Sequence, residues 1–152
     1  MSSLSAHMIR EPTFEDTLLV RDTCLCLHAQ RAARALARRF DVELRAVGIT
    51  SGQFSLLMSL NRPDPPSLGS VATLLAMDRT TLTANLKPLE RRGLVETLAD
   101  SADKRIRRLR LTVPGKASLA GAFAIWRRVQ TQIEAELVSP ARLREELNIL
   151  AS

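Results

Sequence analysis

Apolar residues recur at helical spacing through the first third of the chain. Leu18, Leu25, Ala29, Ala32, Leu36, Phe40, Leu44 and Val47 are separated by three, four and once by seven positions, which predicts one long helix over residues 15–47 that Gly48 ends. The residues before it, 1–12, carry no such pattern and are expected to be loosely ordered. Thr50 or Ser51 then caps a second helix with a stripe of Phe54, Leu57, Met58 and Leu60. Pro63-Asp64-Pro65-Pro66 closes it as a stiff loop. At the other end of the chain, Pro114 suits the first turn of a long helix through Trp126 and Ile133 to about Leu137. Ser139-Pro140 opens a last short helix with Leu143, Leu147 and Leu150 on one side.

Between these flanks the pattern changes. Ser67 is set to cap a short helix that buries Val71, Leu74 and Leu75 and is interrupted near Ala76-Met77. Asp78 caps the next, which buries Leu82, Leu86 and Leu89, is expected to bend after Lys87 because of Pro88, and stops at Gly93. Leu94-Val95-Glu96-Thr97-Leu98 and Arg107-Arg108-Leu109-Arg110-Leu111 then read as two strands around a charged turn. Two short helices followed by a basic hairpin have the layout of a winged helix-turn-helix. The second helix carries Arg79, Thr80, Thr81, Thr83, Asn85 and Lys87. Hydroxyls, an amide and a guanidinium bond to base edges and phosphates, and three threonines with an asparagine are poor helix formers that need some other reason to stand there.

These residues carry a family resemblance. Thr50-x-x-Gln53, the run Asp78-Arg79-Thr80-Thr81-Leu82-Thr83, the run Leu89-Glu90-Arg91-Arg92-Gly93-Leu94-Val95, then Asp103-Lys104-Arg105 and Leu111-Thr112-x-x-Gly115 follow in the order and spacing of the MarR family of bacterial transcription regulators. The resemblance implies a mainly α fold with a small β-wing and a single MarR-like domain over residues 1–152. Within it, 50–112 would form the winged helix-turn-helix that binds DNA, and 15–47 with 114–150 a helical dimerisation part. It also implies a homodimer on a pseudo-palindromic operator, acting as a repressor released by a small-molecule or oxidant signal. By the same resemblance Arg105 is the wing-tip residue that enters the minor groove, where shape and charge are read in place of a base code, and Asp103 holds the wing by pairing with it.

Composition sharpens this picture. The 152 residues are 45% hydrophobic and 25% charged, with a net charge of +6. Residues 78–116 hold ten basic and five acidic side chains, so nearly all of that excess sits on the reading helix and wing, Lys104, Arg105 and Arg107 included. No apolar run reaches the length of a membrane span and no signal-peptide layout opens the chain, which leads us to expect a cytoplasmic protein. A winged helix can also serve as a protein-interaction module without DNA binding, but arginines occupy the face where such a role needs an apolar patch.

Two cysteines stand outside this scheme. Two positions along a helix is about 200° of rotation, so Cys24 and Cys26 cannot face one metal ion. Cys26 lies 24 residues before Thr50, where the hydroperoxide-sensing branch of the resembled family carries its reactive thiol. That branch uses tyrosine hydroxyls, and here Phe40 and Ser51 stand in those places in a chain without tyrosine. With Leu19, Ala33 and Phe40 as face-mates, Cys26 is expected to be more protected than Cys24, which shares a face with His28, Arg31 and Arg38. An inert structural thiol and a thiol sensor both remain open. His28 is a candidate for lining an effector pocket, and neither it nor His7 has a metal constellation. No nucleophile–base pair, P-loop or dinucleotide fingerprint is present, so the sequence gives no argument for an enzyme, a cofactor or a metal.

Overall fold

In the computed structural model, which describes residues 10–152, the chain is mainly helical with a two-stranded antiparallel wing. The helices are α1 (Phe14–Thr23), α2 (Leu25–Leu44), α3 (Ser51–Ser59), α4 (Leu68–Leu74), α5 (Arg79–Arg91), α6 (Val113–Ala135) and α7 (Pro140–Ala151), and the strands β1 (Val95–Ala99) and β2 (Arg107–Leu111). His7 lies outside the described residues. Two compact units, Met1–Leu36 and Ala37–Ser152, divide the chain within α2. Among the described residues no helix is long and apolar enough to cross a membrane.

The first unit departs from the single long helix the apolar spacing predicts. α1 opens on a reciprocal cap: the Thr13 hydroxyl accepts from the Asp16 N–H at 3.3 Å, and the Asp16 carboxylate accepts from the Thr13 N–H at 2.8 Å. Arg10 donates twice to the same carboxylate, at 2.7 and 3.0 Å, and is the main reason the Asp16 pKa falls to about 2. The helix then ends at Cys24, whose backbone is extended. Thr23 donates its hydroxyl back to the Leu19 carbonyl at 2.7 Å, a bond that bends helices. The Cys24 carbonyl accepts from both the N–H and Nδ1 of His28, at 3.1 and 2.8 Å, and so starts α2. The break falls in the seven-residue gap between Leu18 and Leu25, where the apolar stripe supplies nothing to hold the helix on course.

The second unit contains the core. Leu44, Leu57, Leu82, Leu89 and Leu109 are fully buried, with Ile49, Phe54, Leu56, Val71, Leu86, Leu111 and Leu119 around them. A capping box of Thr50 and Gln53 starts α3, as the sequence indicates. Its buried face is broader than the predicted stripe, because Leu56 is buried while Met58 is exposed. In α4 the prediction fails in the other direction: Val71 and Ala72 are buried, but Leu74 is exposed. Seven residues are two turns, too few for spacing alone to define the inward face. α5 continues through Pro88 to Arg91.

Two turns repeat one device. After α5, Gly93 takes a left-handed φ of 68°, its N–H bonds to the Glu90 carbonyl at 2.9 Å, and the Leu94 N–H reaches the Leu89 carbonyl at 2.9 Å. After α4, Ala76 does the same with φ 51°, bonding to Thr73 while Met77 bonds to Ala72. Reversing the chain there without a glycine costs about 1–2 kcal/mol of left-handed strain.

Candidate nucleic-acid interface

Asp78 sets the start of α5. Its carboxylate accepts from the Thr81 N–H at 2.8 Å and from the Thr81 hydroxyl at 2.7 Å, and these bonds, the backbone one foremost, hold its pKa below the ordinary carboxylate value. With Leu82, Leu86 and Leu89 buried, Arg79, Thr80, Thr81, Thr83, Asn85 and Lys87 are all left exposed. Thr83 donates back to the Arg79 carbonyl at 2.8 Å, so the hydroxyl protons of Thr81 and Thr83 are engaged within the helix and their oxygens remain as acceptors. Asn85 Nδ2 lies 3.8 Å from the Met77 sulfur, a weak contact that a better acceptor displaces.

The wing is organised by two aspartates. Asp100 accepts from the N–H groups of Ala102 and Asp103 at 3.0 and 2.9 Å and from the Arg108 guanidinium. Asp103 accepts from the Arg105 N–H at 3.0 Å and from its guanidinium at 3.1 Å. Arg108 lowers the pKa of Asp100, and Arg105 that of Asp103, with backbone donors adding to both. The Arg105 side chain keeps 90% of its surface exposed while so held. Asp103 thus aims Arg105 without covering it. Lys104 and Arg107 are exposed beside it.

Arg108 differs from its neighbours in a way the charge pattern hides. It is half-buried, and besides Asp100 it reaches the Pro65 carbonyl at 3.0 Å. Leu109 donates to the Pro66 carbonyl at 2.9 Å, and Ser67 forms a bridge with Arg108. Arg108 therefore straps the wing to the proline loop and is spent on structure. Arg79 from α5 and Arg105 and Arg107 from the wing line one concavity of about 500 Å³, which Arg108 also borders, while Arg110 pairs with Glu96 outside it. Gly69 makes room for it, since a Cβ there would stand 3.0 Å from the Arg79 guanidinium.

Cys24, Cys26 and His28 belong to the first unit. Both thiols are free. The expected order of protection is reversed, because Cys24 is half-buried at the helix break whereas Cys26 is exposed, with Gln30 Nε2 3.2 Å from its sulfur. The break takes Leu19 off the Cys26 face, and of the two face-mates left on α2 Ala33 is itself exposed. Among the described residues no three His, Cys, Asp or Glu side chains are grouped for a metal.

One feature escaped the sequence reading. Phe54, Met58, Leu74, Phe123 and Trp126 line an apolar pocket of about 390 Å³ on the second unit. Trp126 stacks between Phe54 and Phe123, with ring centroids 6.0 and 5.8 Å apart. His28 is not among its lining residues. The spacing of Phe123 and Trp126 on α6 is a helical signal, but Phe54 joins them only through the fold.

Comparison with known proteins places this arrangement. The model of the MarR family matches residues 49–106. The HTH-type transcriptional regulator YybA of Bacillus subtilis, itself uncharacterised, is 31% identical over 84 residues, which cover 55% of this chain and 56% of that relative, a little over half its length. The transcriptional regulator MosR of M. tuberculosis, solved in complex with DNA, superposes with a TM-score of 0.79 at 36% identity, over 85% of this chain and 94% of that one. The transcriptional repressor CouR of Rhodococcus jostii RHA1, bound to a 23-mer duplex, gives 0.71 at 27% identity, over 93% and 97%.

Proposed function

The chain belongs to the MarR family of DNA-binding transcription regulators, and on that premise we propose that it acts as a homodimeric repressor that holds a pseudo-palindromic duplex and lets go on a chemical signal. Such proteins are transcription regulators and not enzymes. The observation that carries the reading is the meeting of Arg79, at the start of the exposed face of α5, with Arg105 and Arg107 of the wing on one concavity. On this reading Arg79, Thr80, Thr81, Thr83, Asn85 and Lys87 meet the major groove, while Arg105, held by Asp103 and flanked by Lys104 and Arg107, enters the minor groove.

The chain is read as a single MarR-like domain over 1–152, with 50–112 as the DNA-binding part and 15–47 and 114–150 as the dimerisation part. Neither α1 nor α7 buries a residue, and Phe14, Val138, Ile149 and Leu150 are exposed, apolar surface of the kind a second copy covers. One reading helix spans a few base pairs, so two-fold pairing supplies affinity and register. Release follows if the signal and the duplex favour different spacings of the two reading heads, each then weakening the other. The apolar pocket supports a small-molecule signal, and the exposure of Cys26 supports an oxidant as the second reading.

The test is selection of bound sequences from a random duplex pool, followed by salt titration of the winner and repetition after thiol oxidation. A two-fold symmetric motif with affinity falling steeply in salt is the expected result. No enrichment, or affinity insensitive to salt, would return the fold to the role of a protein-interaction module.

A further inference from the structure

Met77 stands in the turn that delivers the chain from α4 to α5. Its backbone is held on both sides: its N–H bonds to the Ala72 carbonyl at 2.9 Å, Ala76 before it takes the left-handed φ of 51°, and Asp78 after it caps α5. The side chain is half-buried, and its sulfur lies 3.8 Å from Nδ2 of Asn85. That is the only hydrogen-bonding contact the exposed Asn85 side chain makes among the described residues. Thr81 and Thr83 spend their hydroxyl protons within the helix, so of these three side chains only Asn85 has donors left for a base.

A thioether sulfur is a weak acceptor, and the Asn85 amide leaves it readily for a base. An asparagine amide reads adenine by two bonds at once, Nδ2 donating to N7 while Oδ1 accepts from the N6 amino group. One oxygen added to the Met77 sulfur changes that balance. A sulfoxide is polar and its oxygen accepts strongly, and from a sulfur 3.8 Å away that oxygen comes within ordinary hydrogen-bond distance of Nδ2. With the backbone of Met77 fixed by the bonds around it, the oxidised side chain stays within reach of α5.

We propose that Met77 is an oxidation site that governs base reading: its sulfoxide holds the Asn85 amide and withdraws it from the duplex. The co-reactant is a hydroperoxide. A lone pair of the Met77 sulfur attacks the terminal peroxide oxygen, an S–O bond forms as the O–O bond breaks, and the hydroxyl proton passes to the departing oxygen, which leaves as alcohol or water. Sulfur is oxidised and the peroxide is reduced, and sulfoxide reductases reverse the change. The device needs no thiol and is separate from Cys24 and Cys26. It rests on the reading of α5 as the helix that meets the major groove.

The test uses the full chain carrying Cys24→Ser and Cys26→Ser, so that thiols cannot answer. Selection of bound sequences by the Asn85→Ala protein first identifies the base pair that Asn85 reads, as the position whose preference changes. Untreated and hydrogen-peroxide-treated protein are then compared on duplexes that differ at that pair, while peptide mass spectrometry follows the added oxygen on Met77 and on exposed Met58. Oxidation should lower discrimination at that pair roughly tenfold and leave the preference at other positions unchanged. Met77→Leu should keep its discrimination through the same treatment. Met77→Gln, isosteric with the sulfoxide, should show the loss untreated, and reductases for both sulfoxide epimers should restore the oxidised protein. A loss that persists in Met77→Leu, a uniform loss at every position, or a Met77→Gln protein that discriminates like its parent would overturn the proposal. So would a Met77 that stays unoxidised while Met58 is converted, or one fully oxidised with discrimination intact. An Asn85→Ala protein with no changed base pair would instead overturn the reading of α5, and the proposal with it.

Discussion

The same substitution at two positions of α6 should have opposite effects. Gly115 sits in its first turn, where a Cβ would stand 2.0 Å from the Leu94 carbonyl oxygen and 2.9 Å from its carbon. Ordinary contact begins more than 1 Å farther out for the oxygen and about half an ångström farther for the carbon, and both atoms belong to backbone. That carbonyl accepts from the Thr112 N–H at 3.1 Å, and the Thr112 hydroxyl accepts from the Gly115 N–H at 3.0 Å while donating to Gly93 at 2.5 Å. The wing and α6 therefore cannot separate without breaking these bonds. Overpacking of this kind costs about 1–3 kcal/mol, and loss of a cap or buried hydrogen bond about 1 more. Against this, alanine gains at most about 1 kcal/mol over glycine in a helix. Gly115→Ala should destabilise by about 3 kcal/mol, on the order of 10 °C in Tm for a chain of this size. Gly121, in the middle of the same helix, is exposed and a Cβ there meets only Val47 Cγ1 at 3.5 Å, so Gly121→Ala should stabilise by about 0.5–1 kcal/mol. Urea and thermal denaturation at one fixed protein concentration measure both, the concentration being fixed because association shifts apparent stability. Shifts of the same sign, or a Gly115→Ala protein as stable as the parent, would refute the close approach of α6 to Leu94.

Arg105→Ala should weaken binding to every duplex, more on A·T-rich flanks, and lower the salt slope by about one, while Thr81 or Asn85 substitutions should change the preferred core; equal losses on A·T and G·C flanks in mobility shifts would count against minor-groove insertion. Ala76→Gly relieves a left-handed φ of 51° at an exposed site and should raise stability by about 0.5–1 kcal/mol in the same melts. A thiol reagent followed by mass spectrometry should modify exposed Cys26 before half-buried Cys24. Asp100 and Asp103 have folded pKa values below their unfolded ones, so their stabilisation of the wing is complete above the unfolded carboxylate range and is lost as pH falls through the lowered values; hydrogen-exchange protection factors at residues 100–106, corrected for the intrinsic rate at each pH, should fall in acid before those of the middle of α5.

What the sequence determined by itself was whatever short-range chemistry decides. Thr50 with Gln53, Ser67 and Asp78 each cap a helix through a bond to a residue three positions on, and Pro114 suits a first turn, so the starts of α3, α4, α5 and α6 were legible in the order of residues, whereas the Thr112 cap of α6 was not. Gly93 and the charged turn of the wing were legible for the same reason, and the exposed face of α5 followed from three leucines at helical spacing. The tertiary structure decided everything that depends on what lies opposite. Leu74 and Leu56 exchanged their expected environments because α4 is too short, and α3 too enclosed, for spacing to name the covered side. Arg108 reads like its neighbours until Asp100 and Pro65 are seen to claim it. Cys24 and Cys26 changed places because Cys24 falls at the break between α1 and α2, whereas Cys26 shares its face of α2 with an exposed Ala33. The pocket along Met58 and Phe123 exists only where α3 meets α6. A cap is worth its energy within one turn of chain, whereas burial is a property of two surfaces, and one strand of sequence carries only the first of them.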